Sequence, residues 1–485
     1  MEIFEIAEEF LIGRIAFPFT SHLLNRHNII CQYDELLRTE LYQQEQIQNI
    51  QLQKLKRLIK YAYDDVPFYT RRFRDIGLKP DDITTLDDIK KIPPLSRQEV
   101  IDHHCAMVNR SLSESVSIAD KSKRSPGEPI PFAPLFRHKL VRNTSSGSTG
   151  APTVFYEDGS QTALNWMHEL RLKRWFGIKP GAREARMVRL STDYFPESRI
   201  LQLRHRLWNQ LILPGVNLTD DHYNVCVERL SVFRPKILWG FTSAIAGLAG
   251  YIRRNGIDPL PWGINLVIGW AAPVYEHERK ILEEVFACPV SNIYGAREVG
   301  HIAGQCPQGS FHINQEHLLA ERYERTGEDD DREEGEILVT NLDISPMPFI
   351  RYRMGYLGRF ESSTCDCGRK LQVMKDFLGR TGEVFRTKDG RMISPNFWCR
   401  TFMNVKLSNA ISRFQVIYVS DNSMKIKIVK NTNYSEANEL ILRDHLRKNF
   451  PQDMTFAFEY VPKINPLVSG KYQMVVNEMS CQTEE

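Results

Sequence analysis

The chain lacks any apolar run near the ~20 residues that a membrane span requires, and it lacks a charge excess. Its 63 lysines and arginines face 60 aspartates and glutamates, for a formal net charge of +3. So balanced a composition sets up no long-range field toward nucleic acid or an anionic membrane. The basic cluster Lys54-Lys56-Arg57-Lys60 therefore reads as a solvated helix face. The first residues, Met1-Glu2-Ile3-Phe4-Glu5, are acidic where a secretory leader is basic. Phe4, Ala7, Phe10, Leu11 and Ile15 give that start an amphipathic pattern, expected to dock on its own domain. There is no internal repeat. Nine cysteines are an odd number for a disulfide framework, and Cys31, Cys105, Cys226, Cys288, Cys399 and Cys481 stand alone. Reduced thiols in a cytoplasmic protein are the expectation. What remains, 42% hydrophobic and 25% charged over 485 residues, is an ordinary globular composition, long enough for more than one domain.

The chain's densest chemical stretch is Thr144-Ser145-Ser146-Gly147-Ser148-Thr149-Gly150-Ala151-Pro152-Thr153. Hydroxyls and freed backbone N–H groups are the donors that a polyphosphate needs, and glycine lets the backbone approach it. Val154-Phe155-Tyr156 downstream reads as a strand, so the stretch is expected to be a loop between strands. No lysine follows the second glycine, which argues against a Walker-type P-loop. Taken alone, a Ser/Gly-rich surface turn is an equal reading.

Hydrophobic spacing predicts helical structure over residues 1 to about 75, with helix-like spacings from Gln43 through Arg72, and a short helix from Leu86 to Ile92 stopped by Pro93-Pro94. Lys121 to Pro134 reads as a surface loop. Helices at Ala163–Phe176, Asn224–Phe233, Thr242–Asn255 and Tyr275–Phe286 alternate with strands at Ala185–Leu190, Ile237–Trp239, Ile264–Ile268 and Val290–Tyr294. That alternation implies βαβ units and parallel sheet. Around 321–340 a charged hairpin leads into a β-rich part. After Gly379-Arg380, a β-β-α-β-β-α-β order predicts a compact α+β module. The domains are thus 1–379 and 380–485.

Four further runs carry chemistry. Asn292-Ile293-Tyr294-Gly295-Ala296-Arg297-Glu298 ends a strand, where open α/β sheets bind ligands and where a carboxylate can meet Mg²⁺. Gly269-Trp270-Ala271-Ala272-Pro273 follows another strand, with small residues on which a flat ring can lie. Pro348 to Gly355 reads as a strand with Arg351 and Arg353 on one face. Ser469-Gly470-Lys471 sets a lysine on a flexible turn, able to neutralise charge between a carboxylate and an α-phosphate.

In this order, T-S-S-G-S-T-G-x-P, G-x-A-A-P, Y-G-x-x-E, I-R-Y-R-x-G, G-R and a C-terminal G-K resemble the adenylate-forming (ANL) superfamily from about residue 50 to the end. The nearer resemblance is to the phenylacetate–CoA ligase-like branch and its CapK-like members, with Ala62-Tyr63-Asp64-Asp65-Val66-Pro67-Phe68-Tyr69 as a further signature. The implied fold is α/β: a large multi-subdomain N-terminal domain with βαβ parallel sheets and a β-rich subdomain, plus a small mobile α+β C-terminal domain. The implied activity is ATP-dependent activation of a carboxylic acid as acyl-AMP, then transfer to a thiol, with coenzyme A as the default acceptor. In CapK-like members the acceptor is expected to be a carrier or an amine, in polysaccharide or natural-product biosynthesis.

By that resemblance Ser145, Ser146, Gly147, Ser148, Thr149 and Gly150 hold the phosphates of ATP. Ala271, Ala272, Pro273, Tyr294 and Gly295 frame the adenine, with Arg297 nearby. Glu298 serves Mg²⁺, Arg380 contacts ribose or phosphate, and Lys471 orients carboxylate and α-phosphate. The acid is expected near Tyr194, Phe195, Trp239, Gly240, Phe241 and Thr242. Cys306, His312, Cys365 and Cys367 offer three thiols and an imidazole, the set of a closed structural Zn²⁺ site as some members of the branch have. Three positions depart from the family pattern. Tyr356 stands where an aspartate usually binds the ribose hydroxyls, Gly382 at the usual hinge Asp or Lys, and Arg297 at the usual Thr or Ser. A phenol cannot accept two hydroxyl hydrogen bonds as a carboxylate does, so a non-catalytic relative is the competing reading.

Overall fold

The structure is a computed structural model. It describes residues 11–16, 19, 29–113, 116, 140–145, 153–188, 199–216, 218–323, 334–361, 365–380, 384–386, 392–393, 395–402, 410–465 and 474–478. Loop residues Ser146 to Gly150, the pair Tyr194 and Phe195, the 121–134 stretch, Gly382 and Lys471 lie outside the described residues.

Strands β1 (Val141–Thr144) and β2 (Val154–Glu157) form a hairpin apart from the main sheet. Among the described residues the main sheet has eleven strands. Its parallel part comprises β3 (Glu184–Val188), β4 (Gln210–Pro214), β5 (Ile237–Phe241), β6 (Leu266–Trp270) and β7 (Val290–Ala296), in the order β4-β3-β5-β6-β7. The antiparallel part continues from β7 through β8 (Gly300–Gln305), β9 (Phe311–Ile313), β13 (Val373–Arg380), β12 (Tyr352–Glu361), β11 (Glu334–Asn341) and β10 (Leu318–Tyr323). Strand β7 is thus the switch between the two halves. The β-rich part anticipated after residue 321 is not a separate layer, because it hydrogen-bonds onward from the parallel strands.

Each half buries its own apolar face. Ala185, Met187, Leu238 and Val267 of the parallel strands pack against helices Asp220–Phe233, Thr242–Arg254 and Glu276–Phe286. The antiparallel half packs Ile302, Ile337 and Val339 against Leu55, Leu58, Tyr69 and Phe73 of the N-terminal helices. Helix Gly159–Trp175 is buried on nearly all sides, and carries charged residues inward: Glu169, Arg171 and Lys173 are all under 10% exposed. They are paired, as buried charges must be. Arg171 meets Glu316 at 2.6 Å, and Lys173 meets Glu184 at 2.9 Å.

Some local expectations give way. The helical stretch 43–72 falls into two helices, Gln44–Asp65 and Pro67–Asp75, because Val66 is extended (φ −112, ψ 105) ahead of a proline that occupies the first helical position. The short helix before Pro93 is 3₁₀ (Asp87–Lys91), with the Asp88 carboxylate accepting from the backbone N–H of Thr84 and Thr85. Arg351 and Arg353 do not share a strand face. Arg351 sits at φ 51 before β12 begins, and its guanidinium pairs with Glu321 at 3.1 Å and donates to the Ile92 carbonyl at 2.6 Å. Arg353 pairs with Glu336 instead. The strand β4 and the helix Arg199–Leu207 before it were not anticipated.

Beyond the large sheet, β14 (Ile411–Ser420) and β15 (Ser423–Lys430) form an antiparallel pair flanked in parallel by β17 (Val475–Asn477) and β16 (Thr455–Tyr460). Trp398, Phe402, Phe414, Tyr418, Leu442 and Leu446 form its separate core. Among the described residues no helix is long and apolar enough to cross a membrane.

Candidate active site

The switch strand β7 delivers Tyr294, Gly295 and Ala296 to the carboxyl end of the parallel strands, where Arg297 and Glu298 turn the chain back into β8. A Cβ on Gly295 would stand 2.4 Å from the Gly300 carbonyl oxygen, so only glycine allows this turn to close. Arg297 reaches out of it and donates to the Thr144 carbonyl at 2.8 Å. Thr144 ends β1, at the mouth of the hydroxyl-rich loop. That mouth is pinned shut from both sides: the Ser145 N–H donates to the Thr153 carbonyl at 2.9 Å, and the Thr153 N–H to Ser145 Oγ at 3.0 Å. Arg97 adds a bond to Thr153 Oγ1 at 3.0 Å. Two arginines thus fix the neck of the loop, one from helix Arg97–His103 and one from the β7–β8 turn. Inside the hairpin, Glu157 accepts from Asn143 at 3.0 Å. Burial pushes its carboxyl up to about 7, against the opposing pull of the Asn143 hydrogen bond and the Arg297 charge.

Glu298 is half-buried and hydrogen-bonds the phenol of Tyr352, which burial keeps protonated far above neutral pH. Tyr356, two turns of the pleat further along β12, meets Tyr294 edge to face at 5.7 Å. The aromatic that replaces the expected aspartate therefore lies against the aromatic expected to frame adenine. The turn after β6 lies alongside. Ala271 adopts φ 67, costly for a residue with a Cβ. Its conformation is held by neighbours: the Ala272 carbonyl accepts from Thr242 Oγ1 at 3.1 Å and from Asn292 Nδ2 at 3.2 Å. Asn292 also donates to the Gly269 carbonyl at 2.9 Å. Ala271, Ala272 and Pro273 are exposed, a small-residue ledge at the strand ends.

Of the residues expected to line the acid, Trp239 and Phe241 take part in one stack. Trp270 lies on Trp239 at 5.0 Å and 24°, and on Phe241 at 5.2 Å and 13°. The Arg186 guanidinium covers the Trp239 ring at 4.1 Å. Gly240 faces the other way, where a Cβ would come within 2.5 Å of the Met187 carbonyl oxygen. It serves the close approach of β3 to β5.

The four metal-type ligands do converge. The ligating atoms of Cys306, His312, Cys365 and Cys367 all lie within 4.8 Å of one another. His312 Nδ1 is 3.2 Å from the Leu371 carbonyl, which fixes the N–H there and leaves Nε2 facing the thiols, 3.1 Å from Cys367 Sγ. Burial lowers the imidazole to about 4, so it is neutral and able to ligate. Three thiols and one imidazole, with one nitrogen oriented from behind, fit a tetrahedral structural zinc.

Known proteins resemble this chain. The family profile for the CapK C-terminal domain matches residues 385–478. A phenylacetate–coenzyme A ligase of Thermus thermophilus is 27% identical over 353 residues, 71% of this chain and 73% of the relative. Protein CapK of Staphylococcus aureus is 23% identical over 363 residues, 71% of this chain and 75% of that protein. The chain is thus similar to the adenylate-forming ligases, and within them to the phenylacetate–CoA ligases and CapK. The fold agrees with that likeness: 2-hydroxyisobutyryl-CoA ligase, solved in a postadenylation state with an acyl-AMP, superposes with a TM-score of 0.68 over 92% of each chain at 16% identity.

Among the anticipated site residues, the structure brings together Ser145, Arg297, Glu298, Tyr294, Tyr356 and the Ala271–Pro273 ledge. Arg380 ends β13 opposite Tyr356 in the strand register. Sequence reasoning missed Tyr352, although it lies inside the I-R-Y-R run. It also missed Arg97, Thr242 as a brace, and Asn292, whose position just before Tyr294 was its only signal.

Proposed function

We propose that the protein joins a carboxylic acid to coenzyme A in two steps at one site. The acid's carboxylate attacks the α-phosphorus of ATP, giving acyl-AMP and pyrophosphate; the thiol then attacks the acyl carbon and AMP leaves. The observation that carries this reading is the Arg297–Thr144 bond at 2.8 Å, which sets the mouth of the phosphate-type loop beside the Tyr294–Glu298 turn. Ser146 to Gly150 cradle the β- and γ-phosphates, and the Ala271–Pro273 ledge with Tyr294 receives the adenine. Tyr356 contributes a ring edge there rather than two acceptors for ribose. Glu298, held by the Tyr352 phenol, is the carboxylate suited to Mg²⁺, which when bound screens the phosphate charge. Lys471 orients carboxylate and α-phosphate, and Arg380 meets the nucleotide. In this reading 1–379 hold the substrates and 380–485 move between the half-reactions, in the cytoplasm. Zinc on the Cys/His set is structural, tying the 365–368 segment to β9.

The match of 385–478 to the CapK C-terminal domain favours a second acceptor class, an amine or a carrier thiol in polysaccharide or natural-product biosynthesis. ATP–pyrophosphate exchange across aryl, fatty and amino acids tests the first half-reaction, with Lys471→Ala as control. Exchange with one acid class, lost in the variant, is expected. ATP binding without exchange for any acid would instead favour a non-catalytic relative. Adding coenzyme A, a carrier or an amine to the active acid then identifies the acceptor.

A further inference from the structure

The stacked indoles hold two hydrogen-bond donors that no described residue accepts from. Trp239 is 4% exposed, and the Nε1–H groups of Trp239 and Trp270 are both buried with no partner. The neighbouring rings do not substitute. An indole N–H lies in the plane of its own ring, and the planes of Trp239 and Trp270 are only 24° apart. Phe241 stacks on Trp270 at 13°, so each N–H points past the edge of the stack and not into a neighbour's face. Arg186, over Trp239, brings only further donors, and it is engaged by Glu169 and Glu184. Glu184 in turn is taken up by Lys173 through both carboxylate oxygens. Buried donors are nearly always satisfied in folded proteins, so two orphans side by side in one stack point to an acceptor beyond the described side chains, and a ligand at the strand ends can bring one. The stack spans the carboxyl-terminal halves of β5 and β6, and Trp270 immediately precedes the Ala271–Pro273 ledge.

We propose that the indole N–H groups of Trp239 and Trp270 select an acid whose tail carries an oxygen acceptor: a hydroxyl, an alkoxy or a carbonyl. The inference rests on the acid–ligase reading and narrows its substrate class. Aromatic faces alone would take any flat or apolar tail. A site with unmet donors rejects the analogue that lacks the acceptor, because binding it leaves the donors desolvated and unpaired.

The test is equilibrium binding to the full-length protein by calorimetry, with matched acid pairs: phenylacetate against its hydroxy, methoxy and acetyl derivatives, and a plain against an oxygenated aliphatic acid. One oxygenated acid is expected to bind about 10- to 100-fold more tightly than its plain counterpart. Trp239→Phe and Trp270→Phe keep the stack and remove one donor each, and at least one should bring that ratio to within about threefold. Plain acids binding as well as every oxygenated partner would overturn the proposal without using any variant. So would a preference that survives both substitutions, or the absence of binding by all acids. Pyrophosphate exchange, measured in parallel, separates the two ideas. Exchange with plain and oxygenated acids alike defeats only the substrate class, whereas selective binding without exchange defeats only the adenylation reading.

Discussion

Arg297→Ala probes how the phosphate-type loop is held. The guanidinium donates a charged hydrogen bond to the Thr144 carbonyl at 2.8 Å. Such a bond contributes about 1.5–3 kcal/mol when sheltered; Arg297 is exposed, so about 1 kcal/mol is the reasonable figure. At 1.4 kcal/mol per tenfold, the KM for ATP should rise about fivefold. A second effect comes from Glu157, whose carboxyl burial raises from the ordinary 4.5 to about 7 while Arg297 opposes that rise. A group raised on folding favours the native state at low pH, and that contribution is lost as pH climbs from about 4.5 through about 7. At 1.36 kcal/mol per pH unit, ionising this carboxyl in place costs about 3 kcal/mol. Without Arg297 the losing window extends upward, so the variant should lose stability between pH 7 and 8 where the native protein is level. The assay is ATP–pyrophosphate exchange at pH 6 and pH 8, with melting curves at each. The KM penalty should be larger at pH 8. An unchanged KM at both values would refute the brace, and a fall in kcat alone would place Arg297 at the reacting atoms instead.

Three other outcomes follow from the same geometry. Glu157→Gln should flatten the decline of Tm between pH 4.5 and 7, because the buried carboxyl that titrates there is gone; an unaltered Tm–pH curve would remove Glu157 from that account. Purified protein should carry about one zinc per chain by mass spectrometry, and Cys306→Ser should release it and lower Tm with little change in the KM for ATP; under half an equivalent in the native protein retires the site. Arg171→Met should destabilise by about 3–5 kcal/mol in denaturant titrations, since it removes the buried charge that pairs Glu316 at 2.6 Å and leaves that carboxylate the Thr39 hydroxyl at 2.7 Å; a loss under 1 kcal/mol would mean that hydrogen bonding without the arginine holds the carboxylate.

The legible parts of the fold are those where one face of an element does one job. Helices Asp220–Phe233, Thr242–Arg254 and Glu276–Phe286 bury one side against parallel strands, and their spacing announces them. Helix Gly159–Trp175 was also readable, but its inward charges were not. Lys173 and Glu184 lie eleven residues apart in sequence and find each other only because β3 runs beneath the helix. Arg351 misled for a local reason: the run around it has strand-like composition, yet its carbonyl and guanidinium both bind the 90–95 segment, which requires φ 51. The motif residues could be named from their order alone, whereas their supports could not. Thr242 and Asn292 act through the Ala272 carbonyl, a backbone atom with no sequence signature.

The position of β7 explains why so many of these runs meet. A strand that is parallel to β6 on one side and antiparallel to β8 on the other must turn back at its carboxyl end, and cannot cross over through a helix there. The residues of that turn, Arg297 and Glu298, therefore project at the same edge as the β6 turn with its Ala271–Pro273 ledge. The β12 strand arrives from the antiparallel half with Tyr352 under Glu298 and Tyr356 against Tyr294. The groups proposed to face the nucleotide thus reach one edge from both halves of the sheet without a long loop between them. Replacing the usual aspartate by Tyr356 changes what that edge offers to a ribose, but leaves the convergence intact, because the Tyr294–Tyr356 contact is an aromatic pair set by the strands. On this argument, substitution of Tyr356 by aspartate should alter nucleotide affinity more than it alters folding. Comparing the Kd for ATP with the Tm of Tyr356→Asp separates the two, and a Tm loss with unchanged Kd would show that the tyrosine serves packing alone.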